Sequence, residues 1–598
     1  MQQENVASAE APSDEPSELD PLALLRASLL TPSPEPDLEL FEQNWAGNVR
    51  YAAAQVVAPK TIEELQEAVL NATSVRVYGT RHSFNGIGDT DDTLISLGDL
   101  ESAPIEIDVP TRTVTCAAHM TLGDLANQLE KEGWALRNMP SSPCISLAGA
   151  VATASHGSGD ANTNLLTEVV SVEYVNADGE LVPMAEIDPS LHTCSLGSAA
   201  DPTLQAIMLG GLGVMTQLKL RIETSYQIRQ DVYLELSWGP FWVPDASARA
   251  CKRMVIQEED AEGRHRGTWH AHQAAMSSRL YVPAVMDEDR YLDDIFAEAY
   301  SVSIFITDWC SPKIAQAWFK RKVPLDPHGK TGTLPPPPQM LFGGQLSKKD
   351  VNPIADRSQA ECTKQGTPGP WSERLPTLHN TGKPSLSGDE LHSEYYIPRD
   401  HALSALRALR GIGTYFFPLM TLCEIRTVAA DEIWLSPSYR RPSLCLHFVW
   451  QNDEKAVKRL LVVLERTLRP FAPRPHWGTL FVTYGPEIGA LYPCTSKYRE
   501  LVDNLDPKGK FRNAFIDRFL FDASAPEDDA APCPLYGSNV RRPPRPYDIL
   551  RDPARIGGVP EAPAAADTQE KIQAEKTYTR KEDGRLGWKI CEWGSVSQ

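Results

Sequence analysis

The stretch NMPSSPCISLAGAVATASHGSGD, Asn138 to Asp160, decides how the rest of the chain is read. Within it Leu147, Ala148, Gly149, Ala150, Ala152, Ala154 and Gly157 leave one long surface with almost no side chains. Such a surface lets a flat cofactor or a phosphate pass close to the backbone, whose N–H groups are ready donors. The same residues also suit a tightly packed core helix, and the stretch alone does not separate the two.

Two other segments share this character. GTRHSFN (79–85) leaves the short β run SVRVYG (74–79), where Gly79 permits a sharp turn and the amides after it can cradle a pyrophosphate. LGGLGVMTQLKLRI (209–222) is a Gly-rich entry to a strand. Taken singly, the first reads more readily as a surface loop and the second as a tight turn.

Outward from these segments the chain alternates short strands with helices. Thr61 to Leu70 is an amphipathic helix opened by a capping box, Thr61 with Glu64. DTLISLGDL, IEIDVP and RTVTCAA read as strands, and LGDLANQLEKEG (122–133) as a helix stopped by Gly133. VVSVEYVNADGELVPM reads as a hairpin turning at Asn176 to Gly179. Past residue 225 the expected strands are longer: CEIRTVAA (423–430), SLCLHFVW (443–450) and GTLFVTYG (478–485), with AVKRLLVVLERTL (456–468) as a helix between the last two. The pattern is α+β, with domains over 45–225 and 226–525 between a disordered acidic leader (1–44) and a Pro- and charge-rich, mostly disordered tail (526–598). GTLPPPPQM (332–340) and GRHRGTWHAH (263–272) look like surface insertions, and there are no internal repeats.

Composition narrows the partners. The 598 residues are 42% hydrophobic, enough for large cores, and carry a formal net charge of −21. That acidity repels nucleic-acid phosphates and anionic lipid, leaving a small molecule as the expected partner. No apolar run reaches the ~18–20 residues of a membrane helix. The N-terminus, MQQENVASAEAPSDEPSELD, resembles neither a secretory signal nor a transit peptide. Eleven cysteines are scattered singly without a CxxC pair, which suits a reducing compartment, so a cytoplasmic protein is expected.

In their order and spacing the three small-residue segments resemble the FAD-binding domain shared by vanillyl-alcohol oxidase and p-cresol methylhydroxylase. The chain is most similar to the branch of alditol (xylitol) oxidases and aldonolactone oxidases. NWAGNVRYAA, GTRHSFN, NMPSSPCISLAGAVATASHGSG, LGGLGVMT, SVSIFITDW, GPWSERLP, SEYYIPRDHAL, CEIRTVAAD, RPHWG and LDPKGKFRNAF carry the likeness across residues 44–520. It implies a two-domain vanillyl-alcohol-oxidase-like fold, an N-terminal FAD-binding (PCMH-type) domain followed by an α+β substrate domain. It also implies FAD joined through its 8α carbon to His82. Tyr78, Gly79, Thr80, Arg81, Ser83 and Phe84 would hold the pyrophosphate and ring edge. Ser141, Ser146, Gly149, Ala150, Thr153, His156 and Gly157 would line the cofactor, Val214 its adenine or ribityl end, and His476 its pyrimidine edge. Arg81 stands where many relatives carry a second glycine; its guanidinium either pairs with phosphate or points to solvent.

CEIRTVAA is the expected catalytic strand, because a period of two puts Glu424 and Arg426 on one face. One of the pair would fix substrate hydroxyls and the other supply positive charge to the developing alkoxide; an ordinary cross-strand ion pair is the competing reading. His447, on one face with Cys445 and Val449, resembles an active-site histidine, although a satisfied core histidine fits too. Ser141, His392, Glu424, Arg426, His447, Val449 and Thr479 make up the expected substrate site. Several depart from the family pattern: Thr479 replaces the lysine of an HWxK motif, Val449 a polar residue, and His392 a glutamine, while Pro140 occupies a small-residue position near the oxygen path. The implied activity is an FAD-dependent oxidase moving hydride from a polyol or sugar-derived lactone to flavin N5, with dioxygen reduced to hydrogen peroxide. A dehydrogenase with another acceptor, an oxidase of a less polar metabolite, and a catalytically silent flavin scaffold are the alternatives. His265, His270 and His272 have no cysteine or carboxylate at ligand spacing, so no metal is expected.

Overall fold

Three sheets position the residues that matter. Gln55–Val57, Thr93–Ser96 and Val75–Tyr78 form a parallel sheet in that order. The helix Ile62–Asn71 joins the first strand to Val75–Tyr78, and Leu65 and Val69, one turn apart, are fully buried against Val75 and Ile95. Thr61 Oγ accepts the Glu64 N–H at 3.2 Å, as a capping box requires. The Glu64 carboxylate instead takes the N–H of Lys60, at 2.7 Å, one residue before the expected Thr61. The computed structural model describes residues 43–185, 202–239, 288–324, 332–354, 357–380, 388, 390–417, 419–483 and 485–521, with strands at 256–259, 265–266, 574–580 and 586–592.

A five-stranded antiparallel sheet follows, ordered Glu106–Asp108, Thr113–Ala117, Val214–Arg221, Val169–Val175, Leu181–Val182. The expected hairpin turn is present: Asn176 O accepts the Gly179 N–H at 3.1 Å, with Gly179 at φ 76°. Helix Leu122–Lys131 ends just before Gly133, whose φ of 79° lets the chain leave the helix. Helix Leu147–Ala152, cut from the small-residue stretch, buries Leu147, Ala150 and Val151 in the same core.

The largest sheet runs Met340–Leu341, Gly344–Leu346, Gln227–Ser237, Lys313–Lys322, Ser301–Ile306, Met420–Val428, Ser443–Gln451, Glu390–Pro398, Arg474–Pro475. All its pairings are antiparallel. CEIRTVAA and SLCLHFVW are therefore neighbouring interior strands. GTLFVTYG is not a strand. Its backbone groups are claimed singly: Thr479 O by the Asn85 side chain at 2.8 Å, Leu480 N–H by His392 O, and Val482 N–H by the Glu465 carboxylate. No ladder remains for it to join. GTLPPPPQM joins no strand before its last residue, Met340, and its Pro335 and Pro338 carbonyls accept from Arg229 and Tyr233. Proline has no N–H to give a ladder.

The chain then returns to its beginning. Lys510 O accepts the Val75 N–H, and buried Arg76 donates to the carbonyls of Phe511, Ile87 and Leu209 at 2.7–2.9 Å. One guanidinium thus ties together three segments remote in sequence. Cys116, Cys144, Cys362, Cys423, Cys445 and Cys494 are free and buried, while Cys310 is in a disulfide. Cysteine pairing therefore does not by itself argue for a reducing compartment. Among the described residues no helix is long and apolar enough to cross a membrane. Residues 1–42 of the expected leader, most of the tail, and the side chains of His265, His270 and His272 lie outside the described residues, whereas Gln43 and Asn44, counted with the leader, are hydrogen-bonded to the 79–85 loop.

Candidate active site

The three small-residue segments line one continuous cavity of about 360 Å³. Of the residues expected to form the site, all but Gly157 and Val214 face it. Gly157 is pressed to neighbouring backbone: a Cβ there would lie 2.3 Å from Met139 O. The Val214 side chain is fully buried with Leu65 and Val75, and its neighbours Gly213 and Met215 line the cavity instead.

Loop 79–85 is pinned from the segment NWAGN. Trp45 N–H donates to Arg81 O at 2.8 Å, Asn44 Nδ2 to Ser83 O at 2.8 Å, and Asn48 Nδ2 to Phe84 O at 2.9 Å. Arg81 sits at φ 58°, which accounts for glycine being favoured at this position. Its guanidinium donates to Gln43 O at 3.3 Å and lies over the Tyr78 ring.

The cradle fits FAD. A Cβ on Gly79 would fall 2.1 Å from Ser146 Oγ, and one on Gly149 2.9 Å from the same atom, so the two segments approach as only glycine allows. His82 presents a buried Nδ1 with no hydrogen-bond partner. Its ring packs on Trp45 at 4.5 Å and against Phe84 and His392 at 5.5 and 6.0 Å. Burial, helped by His392, pushes its pKa down to about 3, so the imidazole is neutral and keeps a lone pair. His476, also buried, is pushed down to about 4.

At the cavity's sheet end the strand register sets charges in a row. Glu394 pairs across to His447, and His447 to Glu424, on three adjacent strands. Arg426 Nη2 donates to Glu394 Oε1 at 2.5 Å, and Arg426 Nε lies 3.8 Å from Glu424 Oε2. His156 Nε2 and His447 Nδ1 are 3.2 and 3.7 Å from the Glu394 carboxylate. Ser141 Oγ reaches both Glu424 oxygens at 3.3 Å. Burial pushes the Glu424 carboxyl up, but Arg426, with His447, Ser303 and Lys320, more than offsets it and the net shift is downward. Glu394 behaves likewise and is held well below the usual carboxylate range by Arg426 and His156. Arg426, with both carboxylates beside it, is raised despite burial. His156, Glu394 and Cys445 bring ligand atoms within 4.8 Å of one another, but the carboxylate already holds a guanidinium.

Sequence reasoning missed Glu394 as a site residue. In LHSEYYIP a period of two sets it on one face with His392 and Tyr396, and that alternation is the signal that could have found it. Lys320 is a second such residue. Its Nζ, pushed down to about 8 by burial, donates to Leu375 O at 2.6 Å and Thr377 Oγ1 at 3.3 Å. The Thr377 and Leu378 N–H groups in turn donate to Ser141 O. Nothing in KIAQAWFKRK distinguishes this lysine from an exposed one.

The residues that depart from the family pattern are held by the protein itself. Thr479 Oγ1 accepts the Glu394 N–H at 3.1 Å and donates to His476 O at 3.2 Å. His392 Nε2 lies 3.1 Å from Glu390 Oε1, and its ring stacks on Phe84 at 4.6 Å. Val449 packs with Phe305, Trp318 and Leu422.

A backbone-lined cradle that ends at a buried carboxylate–guanidinium pair is the layout of an FAD-dependent oxidoreductase acting on CH–OH groups. Residues 53–185 match the FAD binding domain family, and residues 389–519 match the D-arabinono-1,4-lactone oxidase family. An alditol oxidase of Streptomyces sp. is 36% identical over 485 residues, covering 80% of this chain and 98% of that protein. An L-gulono-1,4-lactone dehydrogenase of Mycobacterium tuberculosis is 24% identical at the same coverages, and an L-gulonolactone oxidase of Mus musculus 23%. A solvent-stable cholesterol oxidase structure shares the fold, with a TM-score of 0.56 at 14% identity over 80% of this chain and 96% of that one. The chain belongs to the alditol and aldonolactone oxidase family. It is an FAD-dependent oxidoreductase of hydroxyl-bearing substrates.

Proposed function

We propose that FAD is joined covalently to His82 and that Glu424, Arg426 and His447 hold the substrate hydroxyl for oxidation, with dioxygen as the oxidant and hydrogen peroxide as the product. The observation that carries the reading is that Glu424, Arg426 and His447 line one end of the cavity together, with Arg426 Nε and His447 Nδ1 buried and closer to no acceptor than 3.8 and 3.7 Å from the Glu424 and Glu394 carboxylates. Leaving such atoms unpaired is costly, so they await an oxygen from outside the chain. When bound, FAD accepts two electrons and the carbon-bound hydrogen of the substrate as hydride and hands the electrons on to dioxygen.

The protein's part is to place and polarise the hydroxyl. Glu424, ionised and steadied by Ser141, accepts the hydroxyl's hydrogen bond. Arg426 and His447 point at its oxygen, where negative charge grows as the C–H bond breaks. Glu394 keeps Arg426 in place from behind. Tyr78 to Phe84, Ser146, Gly149, Ala150, Thr153 and His156 hold the cofactor, with His476 beside its ring. Val214 and Gly157 contribute through backbone. The FAD-binding part corresponds to residues 45–225 and the substrate part to 226–525.

His82, neutral with a free lone pair, would be the nucleophile for attachment at the flavin 8α position. The methyl carbon would lose one C–H proton and the imidazole its N–H proton, and the two electrons left on the ring would pass to dioxygen, giving hydrogen peroxide. Acid precipitation tests it. The wild-type pellet should stay yellow with the label on the peptide holding His82, whereas flavin freed equally from wild type and His82→Ala would rule the linkage out. Air should reoxidise the substrate-reduced enzyme with one peroxide per flavin; no reoxidation would favour a dehydrogenase.

A further inference from the structure

Several of the polar side chains around this site are already engaged by the protein. Phe305, Ile354, Leu378, Leu422 and Val449 line the cavity beside Glu424 and His447 and pack as one apolar cluster. The polar side chains among them face inward to the protein. Asn352 Oδ1 accepts the Ile354 N–H at 2.9 Å, and its Nδ2 donates to Ser358 O at 2.9 Å. Thr377 Oγ1 receives Lys320. Thr479 is held between Glu394 and His476. His392 Nε2 and Arg357 Nη2 each go to Glu390. Glu361 adds one half-buried carboxylate. Next to the Glu424 carboxylate, Arg426 Nε and His447 Nδ1 are buried without a hydrogen bond of their own.

From this we infer, resting on the reading that the site oxidises a CH–OH group, that the substrate presents one hydroxyl on a compact hydrophobic body, and that Val449, Leu422 and Phe305 form the subsite for that body. A chain of hydroxyls would meet the cluster with all but one or two of its oxygens stripped of water and left without a partner. Each such oxygen weakens binding roughly tenfold or more, whereas apolar carbon gains by leaving water. The reaction balances as an alcohol oxidation: one CH–OH group and one dioxygen give one C=O group and one hydrogen peroxide. The C–H bond breaks with its electron pair, the O–H proton leaves, and dioxygen is reduced by two electrons.

The holoenzyme would be compared on cyclohexylmethanol, 1-pentanol and xylitol, the last two matched in carbon number, by anaerobic flavin bleaching. Binding of 1-methylcyclohexanol, which has no carbinol hydrogen to lose, would be followed separately by tryptophan fluorescence. The second-order rate constant of flavin reduction should be at least ~100-fold higher for cyclohexylmethanol than for xylitol, and binding of 1-methylcyclohexanol should be saturable and not displaced by xylitol. Val449→Thr should narrow the ratio about tenfold and weaken 1-methylcyclohexanol binding. Xylitol matching or beating cyclohexylmethanol, with Val449→Thr leaving the ratio unchanged, overturns the subsite. If no alcohol bleaches the flavin while dithionite does, the alcohol-oxidising reading itself falls, and the subsite with it.

Discussion

The cofactor cradle and the charged sheet face are built on opposite plans. The cradle is backbone brought close by missing side chains, as at Gly79 and Gly149 against Ser146. The sheet face is side chains brought close by register, with Glu394, His447 and Glu424 in one row and Arg426 bracing two of them. Adding atoms damages the first plan; removing charge damages the second. The two should therefore fail separately, one by losing flavin and the other by losing turnover.

The largest effect is expected from Arg426→Met. Flavin reduction should slow by ~10²–10³ with flavin content unchanged, since an electrostatic contact to the reacting oxygen is lost. The variant also strands the Glu394 carboxylate among apolar groups, a change that typically costs ~3–5 kcal/mol. Stopped-flow reduction and urea unfolding read the two. Colourless protein would mean the sheet face also holds the cofactor, and the two plans would no longer be separate.

Gly79→Ala probes the other plan. The new Cβ must displace Ser146, and overpacking of this sort costs about 1–3 kcal/mol. Purified protein should carry less flavin per chain. Because Ser146 Cβ would also lie 2.7 Å from the new atom, Ser146→Gly rather than a hydroxyl deletion should restore it. Failure of that rescue would shift the cause to the turn itself.

How much of each plan was legible in the sequence follows from the same contrast. Backbone approach is local, so GTRHSFN and SLAGAVATASHGSG announce themselves in consecutive residues, and the loop sits as expected. Glu424 and Arg426 could be paired because they share a strand. Glu394 is about thirty residues earlier and meets them only through register, which composition does not encode. Lys320 was hidden for a plainer reason: a strand lysine reads as exposed until tertiary packing covers it. GTLFVTYG misled by its β-branched and aromatic residues, since propensity for a strand is worth little once Asn85 and Glu465 take its backbone partners.

The smallest effect sharpens the comparison where the two regions meet. His476 borders both, and it stays neutral in the fold down to about pH 4, whereas an unfolded histidine titrates near ~6.5. As pH falls through that window the unfolded chain takes up the proton first, so stability is lost with acid, by about 1.4 kcal/mol per pH unit. Above ~6.5 the group contributes nothing. Unfolding free energies from urea curves at pH 7 and 5 should differ by less in His476→Gln than in wild type, by about 2 kcal/mol; equal differences would assign the acid sensitivity elsewhere.

Arg76 carries a consequence in time rather than space. It lines the cavity together with Phe511, and it binds the carbonyls of Ile87, Leu209 and Phe511 at once. A nascent chain has the first two long before it has the third. The full set of Arg76 contacts can therefore form only after translation has passed Phe511, when nearly the whole substrate-facing sheet has been synthesised.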